Sequence, residues 1–276
     1  MKAKFFSFLR NNFLLIFLVS YGIFLIFYKW SGSFMVDEAT YSQIAKEALL
    51  KNSFLTPTWQ QQPWFEKPPF IIWLTALSFK LFGVSETSAH LFPGIFGILS
   101  SIVLYKIGKE LFKDSLAGFF AGFIFLTTPL ILLYNRAVMM DIPVGFFISL
   151  SALAILKLTS KNKGAWWLVY FGAMGFGVLT KSIIGLLPLT FLVFYAFNKQ
   201  SLAFLKNKDF YKGFGLFFII ALPWHIYMSL KFGLTFWNDY LGFHIWTRLN
   251  SQIFPYPWED ANNFGYLKLL LLRSNL

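Results

Sequence analysis

The sequence lacks cysteine and is poor in histidine and in charge. The absence of cysteine among 276 residues excludes disulfide bonds, thiol catalysis and cysteine-ligated metals. With only 3 histidines, a histidine-rich metal cage is not expected. Charged residues make up 13% of the chain, whereas soluble domains carry about 25%. The composition therefore argues against both a soluble globular protein and a disordered one.

Apolar and aromatic residues fill the sequence instead. They reach 57% and 21% of the chain, and apolar runs of the length that crosses a ~30 Å hydrocarbon core recur throughout. Backbone groups in lipid must be satisfied within the segment, so these runs predict helices. No cleavage site follows the first run, which indicates an uncleaved anchor. We predict an all-α polytopic membrane protein with about seven spans near 12–29, 88–105, 115–134, 142–157, 165–180, 182–197 and 213–230.

The net charge of +12 is interpreted as a topology signal, not as a sign of nucleic-acid binding. If the N-terminus is cytoplasmic, the short inner segments hold 13 of the 24 basic residues but only 3 of the 12 acidic ones. Short loops rich in Lys and Arg stay in the cytoplasm. We expect a multi-pass membrane protein with a cytoplasmic N-terminus.

Two outward segments are too long to be simple connections. In segment 30–87, residues 37–51 predict an amphipathic helix, and the apolar stretch 70–82 is too short to cross and predicts an interfacial helix. Residues 1–230 are predicted to form a transmembrane, catalytic-type domain. Segment 231–276 is predicted to be an outer segment that ends in the start of a further span, as in a truncated protein.

Four groups of polar residues flank the predicted spans on the outer side. Asp37 and Glu38 open the helix after the first span, where Asp37 is either an N-cap or a general base. Glu66-Lys67-Pro68-Pro69 is either a charged turn or an anion site, in which Lys67 binds a lipid phosphate and Glu66 orients Lys67 or binds a cation.

The other two groups lie later in the chain. Between spans three and four, Asp141 either caps the next helix or shares a polar cavity with Arg136 and Asp37. His244 and Arg248 have the i,i+4 spacing that places two side chains on one helix face. His90 and His225 have no acidic neighbours in sequence, and we predict structural roles for them.

Together these motifs resemble the membrane glycosyltransferases of the GT-C type, in particular dolichyl-phosphate-mannose-protein mannosyltransferases and lipid A aminoarabinose transferases. The residues that carry the resemblance occur in the same order: Asp37-Glu38, Glu66-Lys67-Pro68-Pro69, the run 82–89 (Phe-Gly-Val-Ser-Glu-Thr-Ser-Ala), and the run 136–143 (Arg-Ala-Val-Met-Met-Asp-Ile-Pro). The resemblance extends over about residues 20–250.

The resemblance implies transfer of a sugar from a polyprenyl-phosphate carrier to a glycolipid, protein or glycan acceptor. It also implies that the active site lies on the extracytoplasmic face of the cell inner membrane. By this resemblance, Asp37 matches the catalytic acid, Lys67 a contact to the carrier phosphate, and Glu66 a metal-contacting position. His244 and Arg248 match metal and phosphate positions only loosely. A divalent metal is therefore a possible cofactor, with Glu66 and His244 as its predicted ligands.

The charges indicate what each side chain would do. A sugar phosphate already has a good leaving group, so the reaction needs one base at the acceptor and cations on the departing phosphate. Asp37 is the predicted base, with Glu38 and Asp141 as further catalytic candidates. Lys67, Arg136 and Arg248 are the predicted phosphate ligands. Two alternatives stay open: a transporter or flippase for lipid-linked anions, and an inactive, truncated paralogue.

Overall fold

The computed structural model describes residues 2–27, 36–161, 164–199 and 203–247. Side chains are described over 12–26, 37–159, 164–197 and 204–243. Residue contacts divide the chain into two units, Met1–Lys231 and Phe232–Leu276. The first unit is almost entirely helical in its described part, as the composition predicts.

Ten α-helices and one short hairpin are described in the first unit. In chain order they are α1 (Lys2–Phe27), α2 (Val36–Lys51), β1 (Thr58–Trp59), β2 (Gln62–Pro63), α3 (Phe70–Phe82), α4 (Glu86–Phe112), α5 (Ser115–Thr127), α6 (Pro129–Asn135), α7 (Asp141–Lys161), α8 (Trp166–Lys181), α9 (Leu189–Lys199) and α10 (Lys208–Phe232), with 3-10 helices at Ser182–Leu186 and Ala203–Lys206.

In the described part of the chain, four helical segments are long and apolar enough to cross a membrane: Glu86–Phe112, Asp141–Thr159, Trp166–Leu186 and Lys208–Phe232. The bent pair α5 and α6 makes a fifth candidate. The polytopic helical class is confirmed, whereas the predicted count of seven spans is not. In α1, which has 26 residues, the apolar stretch Asn12–Ile26 lies within the first predicted span, 12–29. The sixth predicted span is divided between a 3-10 helix and the eleven residues of α9.

A bend of 71° separates α5 from α6. Pro129, the first residue of α6, lacks the N–H that would continue the helix. The Thr128 hydroxyl donates to the Ile124 carbonyl at 2.6 Å and the Thr127 hydroxyl to the Phe123 carbonyl at 2.9 Å. These hydrogen bonds give both threonine hydroxyls a partner at the break, where lipid offers none.

Small residues bring α5 against α4, as the Gly118–Gly122 spacing predicts. A Cβ on Gly118 would lie 2.5 Å from the Tyr105 carbonyl oxygen, and one on Gly122 would lie 2.7 Å from that of Ser101. Only a residue without a side chain permits backbones to approach so closely.

The chain folds back on itself after α8. The helix ends at Lys181, and Ser182 takes a positive φ of 52°. In the returning 3-10 helix, Gly185 packs on the backbone of α8, where a Cβ would lie 2.1 Å from the Val178 nitrogen. Further on, the Tyr170 hydroxyl donates to the Pro188 carbonyl at 2.7 Å. The returning segment is therefore fastened to α8 along much of its length.

Helices α2 and α3 agree with the two predicted in the first outer segment. The amphipathic pattern of α2 places Tyr41, Ile44, Ala45, Ala48 and Leu49 on one face; the first four are buried and Leu49 is partly buried. They pack in one apolar core with α3, the start of α4, the 137–142 segment, and α7 and α8. This core supports the polar groups described below.

The loop between α2 and β1 is bound to two other helices. The Trp73 indole of α3 donates to the Phe54 carbonyl at 2.6 Å, and the Trp224 indole of α10 donates to the Leu55 carbonyl at 3.0 Å. The Lys231 ammonium of α10 donates to the Thr56 hydroxyl at 3.0 Å. The loop between α2 and β1 is thus held by both α3 and α10.

The second unit is described as far as Thr247. It contains α11 (Leu234–Trp237) and a π-helix, Asn238–Thr247. The rings of Phe236 and Tyr240 stack in it with centroids 4.9 Å apart.

Candidate active site

The two adjacent carboxylates of α2 have opposite environments. The helix begins at Val36, so Asp37 lies in its first turn and is not the N-cap residue. The side chain of Asp37 is exposed, and it forms no ion pair with any residue that the structure describes. At this end of a helix, the unsatisfied N–H groups favour a negative charge. Glu38, the next residue, is 4% exposed.

The buried Glu38 carboxylate joins three segments. Its Oε1 atom forms a short contact with Nε2 of His90 in α4. The same oxygen accepts a hydrogen bond from the backbone N–H of Val138 at 3.1 Å. Glu38 thereby fixes the start of α2 against α4 and against the loop that carries Arg136 and Asp141. This geometry favours a positioning role for Glu38.

Glu66 and Lys67 form an ion pair immediately before α3. The Lys67 ammonium lies 2.6 Å from Oε1 of Glu66, and the two side chains are 14% and 24% exposed. Three residues later, the Phe70 ring packs on Phe147 of α7 and Phe176 of α8, at centroid distances of 5.8 and 5.1 Å. Through Phe70, the segment that directly follows the Glu66–Lys67 pair is therefore packed against both α7 and α8.

Asp141 and Lys181 form a second ion pair at the ends of α7 and α8. Asp141 is the first residue of α7, so it belongs to the first turn and not to the cap position. The Lys181 ammonium lies 2.6 Å from Oδ1 of Asp141, with side-chain exposures of 27% and 43%. Lys181 is therefore a partly exposed cation in addition to the predicted phosphate ligands Lys67, Arg136 and Arg248.

Arg136 is the C-cap residue of α6 and begins the loop to α7. Burial lowers the pKa of its guanidinium from the ordinary value, although an arginine stays protonated in proteins. The neighbouring Ala137, Val138 and Met140 are buried, which anchors the loop in the apolar core. Arg136 is a positive charge held on a rigid support.

The sequence-predicted residues on the first outer segment and on the 136–141 loop are carried by elements that share one core. These residues are Asp37, Glu38, Glu66, Lys67, Arg136 and Asp141. Arg248 and the side chain of His244 lie outside the described residues, so their predicted roles remain predictions.

The described residues do not support the prediction of a metal bound by Glu66 and His244. Within the described residues, no group of three or more His, Asp or Glu side chains could share a metal ion. The Glu66 carboxylate is engaged by Lys67. The described donor set does not fit a metal centre, and no step of the chemistry below uses one.

Sequence reasoning missed two partners in this region. Lys181 falls between the predicted spans 165–180 and 182–197, but no spacing rule connects it to Asp141, 40 residues earlier. His90 was predicted to be structural because no acid is near it in sequence, whereas its acidic partner, Glu38, lies 52 residues away. Both pairs depend on how the helices pack.

Comparison with known proteins supports the resemblance. Residues 66–227 match the family model of dolichyl-phosphate-mannose-protein mannosyltransferases. A protein of uncharacterised function from Aquifex aeolicus is 29% identical over 273 residues, which are 97% of this chain and 60% of that protein. The undecaprenyl phosphate-alpha-4-amino-4-deoxy-L-arabinose arabinosyl transferase 1 of Pseudomonas fluorescens is 24% identical over 92% of this chain and 46% of its own length.

The fold is also that of a solved structure. The crystal structure of ArnT from Cupriavidus metallidurans bound to undecaprenyl phosphate aligns with a TM-score of 0.73 and 22% identity, over 86% of this chain and 45% of that one. The chain thus spans about half the length of the relatives it matches. Since the matched segment covers more than half of the sequence, the chain belongs to the dolichyl-phosphate-mannose-protein mannosyltransferase family.

Proposed function

We propose that this chain carries the active site of a membrane glycosyltransferase that moves a sugar from a polyprenyl-phosphate carrier to a glycolipid or protein acceptor. The observation that carries the proposal is the convergence of α2, α3 and the 137–142 segment on one apolar core within a glycosyltransferase family. The exposed Asp37 carboxylate lies in α2. The three cations, Lys67, Arg136 and Lys181, lie before α3, directly after α6 and at the end of α8. A carboxylate base and cations for the phosphate are the set that such a transfer needs.

The proposed reaction is a direct displacement. An acceptor oxygen attacks the anomeric carbon, the bond from that carbon to the phosphate oxygen breaks, and polyprenyl phosphate leaves with the electron pair. The acceptor proton passes to a base, and the anomeric centre is inverted. No strong general acid is required, unlike in a glycoside hydrolase, which pairs two carboxyl groups.

Asp37 is the proposed base. Its exposed carboxylate at the start of α2 is open to an acceptor, and a positioned base contributes about 10²–10⁴-fold to rate. Glu38 supports Asp37 by holding α2 on His90 and Val138.

The proposed role of the cations is to stabilise the departing phosphate. The Lys67 ammonium is oriented by Glu66 at 2.6 Å, Lys181 is oriented by Asp141 at the same distance, and Arg136 adds a third positive charge. Preorganised cations stabilise a developing anion without rearranging in the transition state. The prenyl chain would extend along the apolar surface of α3, whose Leu77, Leu81 and Phe82 are exposed.

The substitution Asp37→Asn in this protein tests the proposal. We expect the transfer of labelled sugar from polyprenyl phosphate to fall by a factor of at least about 10², while carrier binding and thermal stability are retained. Normal turnover in this variant would refute the role of Asp37.

Asp114→Asn is the matched control. Asp114 is the N-cap of α5, where its side chain accepts the Leu116 and Ala117 N–H groups, and Asn caps equally well. We expect wild-type transfer in this variant. The same assay separates the proposal from its two alternatives, because neither a transporter nor an inactive relative would incorporate sugar into an acceptor.

A further inference from the structure

The hairpin between α2 and α3 has a strained turn. Its strands pair Thr58 with Pro63 and Trp59 with Gln62. The two turn residues, Gln60 and Gln61, have φ angles of 50° and 68°. A two-residue turn with both φ angles positive normally uses Asn-Gly or Gly-Gly, because other side chains resist this conformation.

A buried carboxylate stabilises the strained turn. Glu47 of α2 accepts hydrogen bonds from the backbone N–H groups of Gln60 at 3.1 Å and Gln61 at 3.3 Å, and from the Thr58 hydroxyl at 2.7 Å. Burial raises the pKa of Glu47, but the hydrogen bonds from Thr58, Gln43 and the Gln61 N–H, together with the nearby Lys51, outweigh it, so that the pKa lies below its ordinary value. The turn is therefore fixed by an ionised side chain. Strain that the surroundings hold in place is a reason to look for a function.

The turn presents an unusual surface. Trp59 is 42% exposed, and Gln60, Gln61 and Gln62 are all exposed. Each glutamine amide offers two donor hydrogens and an acceptor oxygen. The indole face carries the negative part of the aromatic quadrupole, which attracts polarised C–H groups. An uncharged aromatic face beside three amides matches the C–H face and the hydroxyl groups of a sugar ring.

The position of the hairpin agrees with such a ligand. Pro63 ends β2, and Lys67 follows four residues later, so the two lie within about 14 Å along the chain. The hairpin is closed at its base, where the Trp64 N–H donates to the Pro57 carbonyl at 2.9 Å. A saccharide on the hairpin would therefore lie next to the proposed phosphate site.

We propose that the hairpin, through Trp59 and the amides of Gln60, Gln61 and Gln62, is a saccharide-binding subsite. The inference rests on the proposed glycosyltransferase function and deepens it, since it assigns sugar recognition to a segment separate from the phosphate-binding cations. The sugar could come from the carrier-linked donor or from a glycolipid acceptor, and the experiment distinguishes these sources.

Fluorine NMR of the full chain, labelled with 5-fluorotryptophan and held in phosphatidylglycerol–phosphatidylethanolamine nanodiscs, tests the proposal without catalysis. The resonance of Trp59 is the one that disappears in Trp59→Phe. Two probes are titrated, acyl-free diglucosamine bisphosphate for the acceptor and mannose 1-phosphate for the donor sugar. We expect a saturable shift of the Trp59 resonance with one of them, which identifies the source.

The variant Gln61→Gly separates recognition from folding. Glycine adopts a positive φ without strain, so the turn should be at least as stable as in the wild type, whereas one amide is lost. We expect saccharide binding to weaken several-fold. Lys113→Gly is the matched control, because Lys113 is also exposed and has a φ of 57°; we expect unchanged saccharide binding.

Three results would overturn the inference. The first is the absence of any saturable shift with either probe. The second is binding that survives Gln61→Gly undiminished. The third is broadening of the Trp59 resonance by a nitroxide-labelled lipid with no response to sugar, which would make Trp59 a membrane anchor of the kind found in aromatic belts. Since binding needs no turnover, failure of the transfer assay with intact binding would count against the proposed function and not against the subsite.

Discussion

At the scale of single residues, the two ion pairs at the site have little effect on stability and a larger one on geometry. The Lys181–Asp141 pair joins side chains that are 27% and 43% exposed, and such pairs contribute about 0–1 kcal/mol. The pair, with 2.6 Å between the Lys181 nitrogen and the Asp141 oxygen, instead holds the start of α7 and the end of α8 in a fixed relative position. The pair is therefore expected to matter for turnover more than for folding.

The substitution Lys181→Met should lower kcat on the order of 10-fold or more, because small misplacements of positioned groups are costly. The melting temperature should change little. Lys181→Arg, which keeps the charge, should recover part of the rate. Lys157→Met is the control, since Lys157 pairs with Glu110 away from the site. Equal rates for the Met and Arg variants would contradict this role.

Glu47 gives a second prediction at this scale. Because its folded-state pKa is lowered, its stabilising effect is complete above the unfolded carboxyl pKa of about 4.3 and is lost as the pH falls through the folded-state value. We expect Glu47→Gln to lower stability at neutral pH by about 1–3 kcal/mol. The difference from the wild type should shrink on acidification below about pH 4.3.

Thermal unfolding in detergent from pH 7 to pH 3 measures this difference. Glu86→Gln serves as the control, because Glu86 is exposed at the start of α4. A difference between wild type and Glu47→Gln that stays constant over the whole pH range would show that the ionised carboxylate does not stabilise the turn.

Asp37 and Glu38 also show which properties of a residue cannot be predicted from sequence. Asp37 and Glu38 were recognisable as a pair because helix starts favour acids, yet nothing in the pair says that one is exposed and the other is 4% exposed. That difference arises from His90 and Val138, which are 52 and 100 positions away. Long-range partners of this kind have no local signal.

At the scale of elements, local sequence patterns predicted the positions of helices well but did not predict where a helix is interrupted. The predicted stretches 37–51 and 70–82 correspond to α2 (Val36–Lys51) and α3 (Phe70–Phe82), since amphipathic spacing and flanking Pro and Gly are local features. The sixth span was predicted as one helix, but its first part is the 3-10 helix Ser182–Leu186. The cause is the contact of Gly185 with α8, which composition alone does not reveal.

The Gly185 contact gives a prediction for this element. A Cβ at Gly185 would lie 2.1 Å from the Val178 nitrogen and 2.2 Å from the Gly177 carbonyl carbon. Backbone atoms cannot move aside as a flexible side chain can, so Gly185→Ala should force the returning segment away from α8. We expect a clear drop in melting temperature, equivalent to about 1–3 kcal/mol or more.

Gly215→Ala is the control for this substitution. Gly215 lies in α10, and a Cβ at this position would meet no atom of another element within 4 Å. Alanine should therefore be neutral or stabilise by about 0.4–1 kcal/mol. Similar melting temperatures for the two variants would mean that the fold-back does not need a glycine.

At the scale of the whole molecule, charge and hydropathy together predicted the class. The helical, polytopic architecture is confirmed by the structure and by the likeness to a solved family member. The orientation remains a prediction that rests on the lysine-rich inner segments. In the structure, Lys113 and Glu86 lie at opposite ends of α4, and both are exposed.

The absence of cysteine makes this orientation easy to test. Single-cysteine variants Glu86→Cys and Lys113→Cys can be exposed to a membrane-impermeant maleimide in intact cells. We expect labelling of Glu86→Cys only, with Lys113→Cys reacting after the membrane is permeabilised. The reverse pattern would place the site in the cytoplasm.

The bend between α5 and α6 has a consequence for the surrounding lipid. Thirteen residues of α5 rise only about 20 Å, and α6, turned by 71°, adds little height, whereas α4 with its 27 residues is about twice as long. Hydrophobic mismatch at this flank should thin the adjacent bilayer. Reconstituted protein is thus expected to work best in short-chain phospholipids, so that acyl length becomes a physical regulator of turnover.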